Sequence, residues 1–215
     1  GRVVFGVVGI PANGRCYHGG AGLGAWCSDV AGDERPISVR LTPARGFTLV
    51  ASKRHSSPAQ ETLLAGLTAR FGAPQLANIG SSLKFCLLAE GNADCYPRLA
   101  PTSQWDTAAA QGVLEGAGGE VLDLAGEALT YEVRESFLNP SFLALPAAAE
   151  WRGELIELAR EQGEHLLHTL LLNVQMLHCR NARLRRDMRV TRPRCHRHRN
   201  VLRPFGPIGT HNHNA

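Results

Sequence analysis

The strongest constraint on how this chain folds is the alternation of strand-like and helix-like segments between Phe47 and Leu124, joined by connections of a few residues. Phe47-Thr48-Leu49-Val50-Ala51 is a short apolar run of the kind that forms a buried strand. Ser57-Pro58-Ala59-Gln60 has the order of a helix start: a hydroxyl for the N-cap, proline at the first helical position, and an amide placed to complete a capping box. Leu63, Leu64, Leu67 and Phe71 recur at helical spacing, and Gly72 supplies the stop. The pattern continues with a strand over 76–79, a helix from Ser81-Ser82, a strand near 95–99, a helix opening at Asp106, and a strand over 120–124 after Gly118-Gly119. Alternation of this kind builds a sheet covered by helices. Residues 47–146 are therefore expected to form an α/β domain.

The flanks differ. Residues 1–46 carry short β-rich runs with a hairpin signal at Asn13-Gly14, and the polar Asp33-Glu34-Arg35-Pro36 reads as a connection. Gly1 opens directly into a strand-like run, as the second part of a longer polypeptide would. Beyond Pro146, residues 147–172 suit one amphipathic helix with Leu155, Leu158, Leu166 and Leu170 on its stripe. Residues 173–215 hold ten Arg against one acid, Asp187, and show no periodicity, so a disordered basic tail is expected. That tail carries +9 and residues 1–172 carry −5, which together give the formal +4, and the acidic body is no signature for nucleic acid. It does leave peripheral contact with the inner face of the cell membrane open. No apolar stretch approaches the ~20 residues of a spanning helix. The six Cys form no Cys-x-x-Cys pair, and four sit in apolar or strand-like surroundings, which points to a reducing, cytoplasmic compartment. The Cys and His of the tail match no usual Zn²⁺ spacing.

Four short segments hold residues suited to chemistry. In Trp105-Asp106-Thr107-Ala108-Ala109-Ala110 a carboxylate stands at a helix start, where it serves as a cap, as a ligand for a hard cation such as Mg²⁺, or as both. Gly80-Ser81-Ser82-Leu83-Lys84 joins a glycine loop, two hydroxyls and an ammonium in the manner of a phosphate cradle, although it lacks the spacing of a P-loop. Arg98 ends a strand just before the loop leading to Asp106 and offers a guanidinium to phosphate. His55 sits on another loop at a strand's carboxyl end, where open α/β sheets place their ligands.

These segments carry a family resemblance. The run from Asn78 to Gly91, then Tyr96-Pro97-Arg98, then Trp105-Asp106-Thr107-Ala108-Ala109, then Arg134-Glu135-Ser136-Phe137-Leu138-Asn139-Pro140 closely resembles the carboxyl-terminal half of the CysQ-type 3'(2'),5'-bisphosphate nucleotidases. Those enzymes belong to the inositol monophosphatase-like superfamily of Mg²⁺-dependent phosphatases. They remove a phosphate from 3'-phosphoadenosine 5'-phosphate in sulfate assimilation. The resemblance implies a layered sheet-and-helix sandwich in which residues 1–46 are strands of an antiparallel sheet and its connection. It makes Asp106 a Mg²⁺ ligand and Asp106, Ser81, Lys84 and Arg98 contacts to a nucleotide bisphosphate, with His55 a weaker contact on the nucleotide side.

The chain also departs from the family, whose amino-terminal half supplies a glutamate-rich metal segment and an Asp-Pro-x-Asp-Gly-Thr block. Neither is present, and Asp33-Glu34 lacks the Pro and Gly-Thr context of that block. With Asp106 alone for metal, this chain is expected to be inactive or nearly so. Inositol monophosphatase, fructose 1,6-bisphosphatase and a non-catalytic nucleotide-binding or interaction module are the alternative readings.

Overall fold

Asn13 and Gly14 turn the chain where their chemistry suggests. The computed structural model describes residues 1–43, 46–51, 58–133 and 135–161, all within one compact unit, Gly1–Leu170. In it β1 (Gly6–Ile10) runs antiparallel to β2 (Arg15–Gly20) with Ile10 opposite Arg15. Gly14 takes φ 68°, and Asn13 Oδ1 accepts from the Arg15 N–H at 3.1 Å. β3 (Gly24–Ser28) and β4 (Glu34–Pro36) extend this into a four-stranded antiparallel sheet ordered β1-β2-β3-β4. The polar stretch at Asp33–Pro36 is thus not merely a connection. Its last three residues form an edge strand, which accommodates Pro36 because the missing N–H has no neighbour to serve on that side.

The alternating region supplies β5 (Thr48–Ala51), α1 (Pro58–Phe71), β6 (Gln75–Asn78), α2 (Leu83–Ala89), β7 (Tyr96–Arg98), α3 (Gln104–Gly116) and β8 (Gly119–Asp123). β5 and β6 pair in parallel, and a parallel bridge from Leu49 to Cys95 carries the pairing on towards β7. A further strand, β9 (Phe142–Pro146), enters between β7 and β8, antiparallel to both. All five of its residues are buried, as expected for a strand covered on both faces. The result is mixed α/β, with an antiparallel sheet and a second, mixed set of strands sharing helices.

One of the two capping expectations is refined by the structure. Pro58 begins α1, while Ser57 lies outside the described residues. α3 begins at Gln104, two residues before the expected start, because Ser103 adopts the extended N-cap conformation and Asp106 falls at the third helical position. Residues 152–161 are helical and bury Leu155 and Leu158 against Leu63 and Leu67 of α1, while 162–215 lie outside the described residues. Among the described cysteines, Cys27, Cys86 and Cys95 are free and buried and Cys16 is free and half-buried. Burial pushes the Cys86 thiol up to about 12, with nearby Glu90 adding to the shift. No helix among the described residues is long and apolar enough to cross a membrane.

α3 lies unusually close to the antiparallel sheet. A Cβ on Gly6 would stand 1.8 Å from the Ala109 carbonyl oxygen, and one on Gly116 would stand 2.2 Å from the Gly24 oxygen and 2.6 Å from the Gly20 nitrogen. Glycine on both surfaces lets helix and strand backbones touch directly. Three ion pairs on two carboxylates then tie the antiparallel sheet and its exit to the rest. Glu90, just after α2, accepts from Arg15 and Arg35, and Asp94 accepts from Arg40.

Candidate functional site

α2 and α3 meet at their amino-terminal ends, and β7 runs beside them. A cavity of about 270 Å³ opens between these three elements. It brings together four of the five residues singled out from sequence, Ser81, Lys84, Arg98 and Asp106. His55 lies outside the described residues.

Each arrives by local means. Ser81 has φ 59°, in the left-handed region that a residue with a Cβ rarely adopts, and this sharp turn sends the chain from β6 into α2. The helix proper starts at Leu83 with Ser82 as N-cap, so the two serines precede it. Ser82 Oγ donates to the Asp106 carbonyl at 3.3 Å, tying the Gly80–Lys84 turn to the first turn of α3. Lys84 is then drawn inward and is only 6% exposed.

Asp106 resolves the choice between cap and ligand in an unexpected way. Its Oδ2 accepts from the Ser103 N–H at 2.9 Å, forming one arm of a capping box. Among the described residues its Oδ1 has no hydrogen-bond partner. The side chain is thus held as a cap through Oδ2, and the residue lines the cavity. The loop before it is held by Asn139, whose backbone N–H donates to Thr102 O at 2.8 Å and whose Nδ2 donates to Ser103 O at 2.9 Å. Arg98 is less free than its position suggested. Nε and Nη2 donate to the carbonyls of Ala100 and Pro101, each at 3.1 Å, so only the Nη1 side of the fork keeps a full set of donors. A bidentate clamp through Nε and Nη2 is excluded by that geometry.

Sequence reasoning missed Tyr96, Thr102, Thr107 and Phe85, which also line the cavity. Tyr96 was legible: strand side chains two apart share a face, so a strand that points Arg98 at the cavity points Tyr96 there too. Thr102 gave no signal, because its place depends on the fold-wide contact with Asn139.

The cavity is electropositive on one wall. Burial lowers the Lys84 pKa from its usual 10.5, and the nearby Arg98 guanidinium lowers it further. Among the described residues no carboxylate pairs with this ammonium. Without a counter-ion its charge is a cost to the fold that is relieved as pH rises through the lowered folded value towards the unfolded one. A bound anion favours the charged form and returns the pKa upwards. Phosphate binding at alkaline pH should therefore take up protons. Calorimetry in two buffers of different ionisation enthalpy reads this directly, and an identical heat in both would contradict it.

Comparisons with known proteins show what this chain is similar to. Residues 1–164 match the model of the inositol monophosphatase family. The 3'(2'),5'-bisphosphate nucleotidase CysQ of Salmonella typhimurium is 44% identical over 142 residues, which is 66% of this chain and 54% of that protein. Among solved structures, CysQ from Bacteroides thetaiotaomicron superposes with a TM-score of 0.60 at 36% identity, covering 66% of this chain and 58% of that one. Inositol monophosphatase II from Staphylococcus aureus shares the fold at 19% identity, with a TM-score of 0.61 over 78% of this chain and 58% of its own. The chain spans about half the length of the curated relatives it matches.

Proposed function

This chain belongs to the inositol monophosphatase family, and we propose that it carries the phosphate-binding wall of a CysQ-type 3'(2'),5'-bisphosphate nucleotidase. The substrate would be 3'-phosphoadenosine 5'-phosphate, the reaction hydrolysis of a phosphomonoester, and the metabolic setting sulfate assimilation. The observation that carries this reading is the buried, carboxylate-free ammonium of Lys84 facing a polar cavity with Arg98. A buried charge without a counter-ion is costly, and a phosphate supplies the missing one. Ser81 adds a hydroxyl donor and Arg98 its open Nη1 edge. Lys84 and Arg98 thereby neutralise charge on the phosphoryl oxygens and orient the group for attack. His55 is proposed as a further contact on the nucleotide side.

The cofactor proposed for the activity is Mg²⁺, with Asp106 as one ligand. Its Oδ1 suits a hard cation, yet the described residues hold no group of three side chains able to share one. One carboxylate oxygen does not make a Mg²⁺ site. The described residues thus account for holding the phosphate and do not themselves supply the activation of the attacking water.

Two outcomes test the reading. Lys84→Met should weaken binding of 3'-phosphoadenosine 5'-phosphate about 10- to 100-fold, the range lost with a charge-assisted hydrogen bond; unchanged affinity in calorimetry removes the proposal. The 215-residue chain incubated with Mg²⁺ and this nucleotide should release no phosphate above background. Robust release would show a complete site. Nucleotide binding indifferent to Mg²⁺ would favour a non-catalytic binding module instead.

A further inference from the structure

We propose that Tyr96 is the positioning residue for Lys84, holding its ammonium over the aromatic ring so that the charge and the N–H donors stay available to the phosphate. This rests on the phosphate-binding reading above. Lys84 Nζ lies 5.1 Å from the centroid of the Tyr96 ring, within the range of a cation–π contact. A buried lysine ordinarily pairs with a carboxylate, and among the described residues this one does not. The difference matters chemically. A carboxylate would accept the ammonium's hydrogen bonds and compete with any incoming anion, whereas a ring face attracts the cation without using up its three directed donors.

The ring is itself held rigidly. Tyr96 meets Phe85 edge-on at 5.3 Å and 86°, and Phe142 edge-on at 5.6 Å and 90°, while Phe85 and Phe142 stack at 5.8 Å and 26°. All three rings are buried. Phe85 adjoins Lys84 in α2, Tyr96 stands on β7, and Phe142 stands on β9, the central strand beside it. The aromatic cluster therefore links the helix bearing Lys84 to the strand bearing Arg98. It places the two cations on one wall, where no acid among the described residues pairs with Lys84. The Tyr-Pro-Arg sequence acquires a physical reason: residues 96 and 98 share one strand face, the first steadying a lysine and the second contributing a guanidinium.

The test varies the electron density of the ring and keeps its shape. Phenylalanine and its mono- and trifluorinated analogues are incorporated at position 96 of the full chain, and binding of inorganic phosphate is measured by calorimetry beside the melting temperature. Tyr96→Phe, which keeps the ring and removes the hydroxyl, is the reference of the series. Affinity should then fall stepwise with fluorination, by about five- to tenfold in all, without a matching fall in melting temperature. In a Lys84→Met background the same series should be flat. A series with no dependence on fluorination, or with an equal slope in the Lys84→Met background, overturns the role of Tyr96 while leaving the pocket intact. Failure of Lys84→Met to weaken phosphate binding, or a parent chain that binds no phosphate, overturns the phosphate-binding reading and the role of Tyr96 with it.

Discussion

Asp94→Ala is expected to destabilise this protein by about 3–5 kcal/mol, the cost of stranding the partner of a buried ion pair. The Asp94 side chain is fully buried, and it accepts from Arg40 Nε at 2.7 Å, from Arg40 Nη2 at 2.5 Å and from the Thr48 N–H at 2.6 Å. Its own N–H donates to Thr48 O at 2.9 Å. One carboxylate thus joins the segment leaving the antiparallel sheet to the first residue of β5. Removing it leaves a mostly buried guanidinium and a strand-end N–H without their acceptor, and alanine offers nothing in return. The urea midpoint should fall accordingly, and for a chain of this size the melting temperature should fall by roughly 6–20 °C. Asp94→Asn keeps an acceptor oxygen and should cost less. A loss under about 1 kcal/mol for the alanine variant would mean the pair behaves as an exposed one.

Gly116→Ala is expected to cost about 3 kcal/mol or more, at or above the upper end of what overpacking usually costs. The added methyl would lie 2.2 Å from the Gly24 oxygen and 2.6 Å from the Gly20 nitrogen, both of them backbone atoms of paired strands. A flexible side chain could rotate aside, but a strand backbone can move only with its sheet. The helix must therefore back away from β2 and β3. Its first turn bears Asp106 and is tied to the Gly80–Lys84 turn through Ser82, so phosphate affinity should drop along with the melting temperature. Gly153→Ala provides the control, because a Cβ there meets nothing within 4 Å. Equal stability for the Gly116 and Gly153 variants would show that helix and sheet are not in backbone contact.

Much of the site was legible because its signals are local. The Gly80-Ser81-Ser82 turn, the strand end at Arg98 and the acid at the start of α3 each depend on a few neighbouring residues. Two details were not. Asp106 was expected at the first residue of the helix, but Ser103 takes the N-cap and is held by Asn139, 36 residues further on, whose Nδ2 donates to its carbonyl. The loss of Arg98's Nε and Nη2 donors likewise depends on how residues 99–101 turn back on the strand they leave.

The kinds of element and most of their order are legible in the residues themselves, since hydrophobic period, caps and glycine stops act over one or two turns of chain. The family is legible too, through four blocks in a fixed succession. That Phe142–Pro146 enters between β7 and β8, and that Tyr96 lies under Lys84, follows from the packed fold alone. A continuous apolar run announces that a strand will be buried on both faces, but not which neighbours will receive it. That choice is made by the packing of the whole, in which the place between β7 and β8 buries all five residues.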